Sequence, residues 1–240
     1  MEIKINVETA GTIPSIIPLE RRWKITQLSI AGNLNGTDID YLRTMGGGYS
    51  SGSYSWDHDR KTPGPLETLD LSRANIVSGG LPYKHTEYFD GRTQRSSIED
   101  YFKYQGDSQE FQGSRDGHVY GSKNITSNNV ISNEMFLGCW RLVNIILPNN
   151  VTRIDDITFL DCWHLTNLYI GEKVNSIGSH IFYSCGRIKE IHIRCLKPPT
   201  LKENTFSSYN FKKENCKLFV PKGTMSAYWM AWGFDNIFEE

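Results

Sequence analysis

The chain has 240 residues, of which 38% are hydrophobic and 22% are charged, and its formal net charge is −1. This composition is typical of a folded domain and excludes an intrinsically disordered chain. The near-neutral charge gives no electrostatic reason to expect a nucleic-acid partner, because phosphate binding requires clustered Lys and Arg. There is no run of about 18 apolar residues, so no transmembrane helix is predicted.

Residues 1–24 are predicted to form an N-terminal cap. A short helix is expected within residues 7–24, starting near Thr12 or Ser15. The first residues, MEIKINVETAG, lack the apolar core of a signal peptide. Two interpretations remain open: a cytosolic protein, or a chain that starts at a mature boundary with an added Met.

Residues 25–81 are predicted to contain irregular repeats. ITQLSI at 25–30 and LETLDL at 66–71 alternate apolar and polar residues, which places the apolar side chains on one face of a strand. A Gly- and Ser-rich loop at 45–65 separates the two strands. Residues 82–128 follow as a predicted insertion with little periodicity, apart from a short helix expected around 97–104.

The strongest pattern is a 23-residue repeat within residues 129–220. The segments FLGCWRLVNIILPNNVTRI, FLDCWHLTNLYIGEKVNSI and FYSCGRIKEIHIRC begin at residues 136, 159 and 182. A period of 23 with an LxxLxL core is typical of leucine-rich repeats. Stacked units bury the apolar face that one unit cannot bury alone, and they form a parallel sheet, here of about six strands. The repeated Phe and Cys are predicted to form ladders inside the stack.

Residues 221–240 are predicted to form a C-terminal cap around an aromatic helix in SAYWMAWGFDNIFEE. Trp229 and Trp232 are expected to cover the open end of the core. The sequence therefore predicts an α/β fold, a leucine-rich-repeat solenoid forming a single domain over 1–240. It would have short parallel strands on the concave face, short helical or irregular convex segments, and terminal caps.

The chain has five cysteines, which raise the question of a reactive or metal-binding site. No CxxC pair is present, so a structural zinc site is not predicted. Cys139, Cys162 and Cys185 recur once per repeat, which favours a buried ladder over a nucleophile. Cys195 and Cys216 fall outside the ladder, and pairing between them across adjacent strands stays open.

No catalytic set is visible either. DHD at 57–59 has no partner ligand at a fixed spacing, GGG at 46–48 lacks the lysine and helix of a phosphate loop, and no GxSxG elbow occurs. We therefore predict no enzyme activity, no metal and no cofactor.

The strand residues that point away from the core are the candidate ligand-binding site. In each LxL unit the middle residue faces the other way from its neighbours. This column contains Ile146, Tyr169, His192 and Phe219, and the parallel column contains Asn144, Asn167, Glu190 and Lys217. An exposed apolar stripe often marks an interaction site. Two alternatives stay open: the 82–128 insertion folds over the stripe, or aromatics are present because they favour strands.

The unit FxxCxxLxxIxLPxxVxxI resembles the BspA-like leucine-rich repeats of surface proteins from Bacteroides-type bacteria. AGNLNGTDIDYLRTM (31–45), LETLDLSRANIVSGG (66–80) and LFVPKGTMSAYWMAWG (218–233) resemble the flanking segments of such proteins. The chain departs from the pattern in having few regular repeats and a long insertion at 82–128. The resemblance implies a surface-exposed or extracellular protein, often a lipoprotein, linked to adhesion or to binding of host proteins.

The expected function is therefore a non-enzymatic protein-binding or adhesion module. Its partner would be a host extracellular-matrix protein or another surface protein. Two alternatives remain: a structural or assembly module of the cell envelope, and a carbohydrate-binding module with a glycan ligand.

Overall fold

The computed structural model describes residues 1–48, 64–85, 123–206, 208 and 211–240. Most of the predicted loop 45–65, including DHD at 57–59, and most of the predicted insertion 82–128 lie outside the described residues. The helices are α1 (Ile13–Ile16), α2 (Leu19–Arg22), α3 (Gly36–Met45) and α4 (Met225–Trp232). The strands, in chain order, are β1 (Glu2–Val7), β2 (Gln27–Leu34), β3 (Thr68–Ile76), β4 (Gly79–His85), β5 (Lys123–Thr126), β6 (Val130–Ile131), β7 (Asn144–Ile146), β8 (Arg153–Ile154), β9 (Asn167–Ile170), β10 (Ser176–Ile177), β11 (Glu190–Ile193), β12 (Thr200–Leu201), β13 (Lys217–Val220) and β14 (Ile237–Glu239).

Eight strands of the described part of the chain form one large sheet, in the order β1-β2-β3-β7-β9-β11-β13-β14. Every neighbouring pair in this sheet is parallel. The two-residue strands β6, β8, β10 and β12 form a second parallel sheet, and β4 pairs with β5 in an antiparallel arm. The core lies between the large sheet and the segments that connect its strands.

The 23-residue period of the sequence sets the register of the large sheet, because residues 23 positions apart pair on neighbouring strands. Asn144 lies opposite Asn167, which lies opposite Glu190, so equivalent residues of successive repeats are direct neighbours. Phe136, Phe159, Phe182 and Phe206 stack inside the solenoid with ring centroids 5.8, 6.0 and 6.1 Å apart. The predicted phenylalanine ladder is therefore present, including its last member, which follows at a spacing of 24 rather than 23 residues.

Each repeat turns with the help of left-handed backbone conformations. Ile157 and His180 have φ angles of 54° and 51°, and they occupy the same position in successive repeats. A second such position holds Gly138, Asp161 and Ser184, with φ angles of 72°, 60° and 65°. Only glycine adopts this region without a steric penalty. The turn geometry is thus imposed by stacking even where the residue type opposes it.

The first helices are held by one buried carboxylate. Asn35 caps α3 by accepting a hydrogen bond from the Thr37 backbone N–H, and Asp38 accepts one from the Asn35 backbone N–H in return. The fully buried Asp38 carboxylate also accepts the backbone N–H of Ile13, 2.9 Å away, at the start of α1. This capping box therefore joins α1 and α3 as well as starting a helix.

The structure corrects two expectations at the ends of the solenoid. The six predicted strands are joined by β1 and β14, which lie at the outer edges of the large sheet. They were missed because neither strand is flanked by the repeat motif. Trp232 is 3% exposed and covers the core as expected, whereas Trp229 is 58% exposed and faces solvent. Tyr228 and Trp232 lie one helical turn apart on the inner face of α4, whereas Trp229 lies on its outer face.

Candidate functional site

The candidate site is a row of side chains on the outer face of the large sheet, which is the face turned away from the core. Strand pairing places Ile146 opposite Tyr169, Tyr169 opposite His192, and His192 opposite Phe219. Phe219 in turn lies opposite Phe238 of β14. We call these five residues the outer row. Because side chains alternate along a strand, only every second residue points outward and can belong to this row. The inward-pointing residues of the same strands are buried: Ile145, Leu168, Ile191 and Leu218.

The aromatic members of the outer row stack on one another. The rings of Tyr169 and His192 have centroids 4.3 Å apart and planes 14° apart, and His192 and Phe219 are separated by 4.4 Å and 3°. Phe219 and Phe238 continue the stack at 5.4 Å and 29°. Both ring faces of His192 and of Phe219 are therefore covered by neighbouring rings, and these two residues present ring edges outward. This explains why Tyr169, His192 and Phe219 are half-buried rather than fully exposed.

Carboxylates surround the imidazole in the middle of the row. The Nδ1 atom of His192 lies 3.0 Å from a carboxylate oxygen of Glu240, and its Nε2 atom lies 3.6 Å from a carboxylate oxygen of Glu190. Glu190 is also 3.8 Å from the ammonium group of Lys217. Burial, followed by the charges of Glu190 and Glu240, raises the pKa of Tyr169 above its ordinary value. The Tyr169 hydroxyl therefore remains a neutral hydrogen-bond donor and acceptor at neutral pH.

The second predicted column lies beside the outer row and consists of Asn144, Asn167, Glu190 and Lys217. We call it the amide row. The Nδ2 atom of Asn167 donates to Oδ1 of Asn144 over 2.6 Å, and Nδ2 of Asn144 donates to Oγ1 of Thr68 over 3.0 Å. Each carboxamide has two N–H donors and an acceptor oxygen, so this ladder does not exhaust its capacity. The eight predicted site residues thus form two adjacent rows on one face.

The cysteines have no place in this site. All five are free and buried, so the open possibility of a bond between Cys195 and Cys216 is not realised. The Cys162 thiol donates to the Phe136 carbonyl oxygen over 3.1 Å, and Cys185 donates to the equivalent carbonyl of Phe159 over 2.8 Å. Burial raises the pKa of Cys139 and Cys162 well above the ordinary value. Their role in each repeat is a structural hydrogen bond, and a thiol with a raised pKa is a poor nucleophile at neutral pH.

The described part of the chain offers no metal centre and no membrane span. Its His, Cys, Asp and Glu side chains nowhere gather in a group of three or more that could hold a metal ion. None of its helices combines the length and the hydropathy that crossing a bilayer requires.

Two residues near the site were missed by sequence reasoning. Phe238 extends the outer row and Glu240 binds its histidine, and both lie in or next to β14. The only signal in the sequence was the apolar pair Ile237 and Phe238, and β14 is only three residues long. Without the Phe and Cys positions that mark the other repeats, it could not be aligned to them.

The regular repeats also resemble known sequences. Residues 122–220 match the family described as the BspA type leucine rich repeat region, in six copies. The matched span contains four of the five members of the outer row and the whole amide row. It stops short of the irregular repeats before residue 122 and of the segment after residue 220. Comparison with curated proteins gave no match to the chain.

Proposed function

We propose, from the premise that residues 122–220 are BspA-type leucine-rich repeats, that the chain is a non-enzymatic adhesion module of a bacterial cell surface. It binds a protein partner through the outer face of its large sheet. Leucine-rich repeats of this type generally serve as protein-binding or adhesion modules and are typically surface-associated. The particular face, the partner class and the location are the proposal.

The observation that supports this proposal is the continuous outer row. Single exposed apolar side chains are normal on any protein, but a contiguous apolar row bordered by polar groups marks an interaction surface. Here the aromatic row is bordered by the amide row and by the carboxylates of Glu190 and Glu240. Interface centres in protein complexes are enriched in aromatic residues and surrounded by polar groups in the same way.

Ring orientation favours a protein partner over a glycan. Recognition of a sugar by stacking requires a free aromatic face, and the faces of His192 and Phe219 are covered on both sides by other rings. Ring edges are the positive part of the aromatic quadrupole, so they attract carbonyl oxygens. A peptide segment lying across the row would offer a carbonyl oxygen at each residue. The Tyr169 hydroxyl and the Asn144 and Asn167 amides add hydrogen bonds along its length.

The test is binding to immobilised extracellular-matrix proteins, measured by surface plasmon resonance. A Tyr169→Ser and Phe219→Ser double variant should lose at least tenfold in affinity for any protein that the wild type binds. Tyr183→Ser is the matched control, since Tyr183 is also half-buried but lies in a turn outside the outer face. Circular dichroism must confirm that both variants are folded. Normal binding by the folded double variant, or equal loss in the control, would contradict the proposal.

A glycan array provides the competing outcome. Binding to one glycan class that the same double variant abolishes, with no affinity for any matrix protein, would replace the protein partner by a carbohydrate.

A further inference from the structure

Both ends of the large sheet are open. β1 and β14 are its outer strands, and each has one edge that pairs with no strand in the described chain. Ile3 and Ile5 of β1 and Ile237 of β14 occupy core positions but are only partly buried. The equivalent core residues one strand further in, Leu28 and Leu218, are 1% and 0% exposed. The core of the solenoid is therefore incompletely covered at its first and last strands.

The C-terminal end carries an apolar groove. Met225, Trp229 and Met230 on the outer face of α4 are 41%, 58% and 74% exposed. Together with Ile237 they line an open groove of about 360 Å³, and Asp235 supplies a carboxylate at its wall. Terminal caps of solenoids are normally polar on the outside, because nothing follows them. An apolar outer face on this end indicates that something covers it.

The N-terminal end carries a complementary surface. Ile16, Leu19 and Trp23, in and beside the two short helices α1 and α2, are 37%, 58% and 36% exposed. The neighbouring side chains of Arg21 and Lys24 are exposed as well. This end thus combines apolar side chains with a net positive charge, because Arg21, Arg22 and Lys24 outnumber Glu20 of α2. The opposite end combines them with the Asp235 carboxylate. The two surfaces are both apolar in part, and they carry charges of opposite sign.

The register of the sheet also makes the two end strands, β1 and β14, compatible with each other. Ile3 lies in the core row through Leu28, and Ile237 lies in the core row through Leu218. Lys4 and Phe238 both lie in the row that faces outward. A β1 strand added beside β14 in the register of the sheet would place Ile3 against Ile237. It would also place the Lys4 ammonium over the outer face of the Phe238 ring, where a cation is favoured.

We propose that copies of this chain associate head to tail, with β1 of one copy adding to β14 of another. All strands of the large sheet are parallel, so this addition continues the sheet in its own sense. Pairing of like ends about a two-fold axis would make an antiparallel junction and would oppose Asp235 to Asp235. The contact is heterologous, joining two different surfaces, and such contacts produce chains or rings rather than closed dimers.

The test uses two variants that each lose one end. A head variant, Leu19→Glu with Lys24→Glu, keeps its tail, and a tail variant, Trp229→Glu with Met230→Glu, keeps its head; both altered ends are then acidic and repel each other. All four side chains are exposed, so both variants should fold, which circular dichroism will check. Analytical ultracentrifugation should show the wild-type mass rising with concentration beyond a dimer. Each variant alone should be monomeric, and an equimolar mixture should form a dimer that grows no further.

Leu196→Glu is the matched control, since Leu196 is 73% exposed and lines a different groove from the one formed by Met225, Trp229 and Met230. It should associate like the wild type, and raised salt should weaken association because the contact pairs opposite charges. A wild type that stays monomeric up to roughly 1 mM, a concentration that would still reveal a millimolar Kd, would overturn the proposal. So would a variant that associates by itself, or a mixture that stays monomeric. None of these outcomes bears on partner binding by the outer row, because none of the substituted residues belongs to it, although Phe238 lies in both surfaces.

Discussion

The imidazole ring of His192 lies flat against the ring of Phe219, with centroids 4.4 Å apart and planes 3° apart. Tyr169 covers the other face of the same imidazole at 4.3 Å. His192 also lies 3.0 Å from the Glu240 carboxylate. His192 therefore connects three neighbouring repeats by stacking, and it also holds Glu240 against the sheet. Its two kinds of contact can be separated by substitution.

His192→Ala removes both ring contacts and should lower the free energy of unfolding by about 1–2 kcal/mol, since each aromatic pair contributes roughly 0.5–1.5 kcal/mol beyond area burial. His192→Phe keeps the stack and removes the contact with Glu240, so it should retain most of the wild-type stability. Urea unfolding monitored by circular dichroism measures both. Equal losses in the two variants would assign the stabilisation to the Glu240 contact, and Glu240→Gln would then reproduce them.

The buried thiols should make the protein less stable in alkali. Burial raises the pKa of Cys195 to about 11 and that of Cys216 to about 12, from an ordinary value of 9.0. Above pH 9 the unfolded chain loses these protons while the folded chain keeps them, so the free energy of unfolding falls as pH rises towards 11. Below pH 9 both states are protonated, and these thiols cause no pH dependence.

A Cys195→Ala and Cys216→Ala double variant should show a shallower decline of the unfolding free energy between pH 9 and 11. Urea titrations at several pH values provide the comparison, with each slope referred to the stability of the same variant at pH 8. An unchanged slope would show that these two thiols are not protected from ionisation in the folded chain.

Ile157 is a place where the sequence opposes the fold. It has a φ angle of 54°, a region that β-branched residues strongly avoid. Ile157→Asn should raise the free energy of unfolding by about 1 kcal/mol, because asparagine tolerates this conformation. Leu160→Asn is the matched control: Leu160 is a half-buried apolar residue of the same turn, but its φ is not positive. The control should lose stability, and a similar loss in Ile157→Asn would contradict the interpretation.

Arg43 joins α3 to the regular repeats across more than 90 residues of sequence. Its side chain is 2% exposed, and Nη1 donates to the carbonyl oxygens of Glu134 and Met135 over 2.8 and 3.1 Å. Arg43→Lys keeps the charge but replaces the rigid guanidinium, whose Nη1 donates to both carbonyls, by an ammonium on a shorter side chain, so it should cost about 2 kcal/mol. Arg73→Lys, at an exposed position on β3, should leave stability unchanged. Differential scanning calorimetry of the two variants separates these outcomes.

The middle of the solenoid can be predicted from the sequence, whereas its two ends cannot. Successive 23-residue units place equivalent residues opposite each other, so the outer row from Ile146 to Phe219 could be read directly from the spacing. β1 and β14 lack the Phe and Cys positions that define a unit, and they are strands because the sheet edge beside them leaves hydrogen-bonding groups to pair. The exposure of Trp229 depends on which face of α4 meets Pro199 and Phe206, through the neighbouring Trp232. Spacing alone does not specify that face.

The sequence by itself determined the repeat, the parallel sheet and the inward or outward direction of each strand residue, because these follow from periodicity along the chain. Only the tertiary structure decided how the outward residues meet. Stacking of His192 between Tyr169 and Phe219 turned a predicted exposed stripe into a half-buried row that presents ring edges. That outcome depends on distances between side chains of different repeats, and one-dimensional spacing does not contain those distances. The same holds for the two open ends, whose complementarity involves residues more than 200 positions apart.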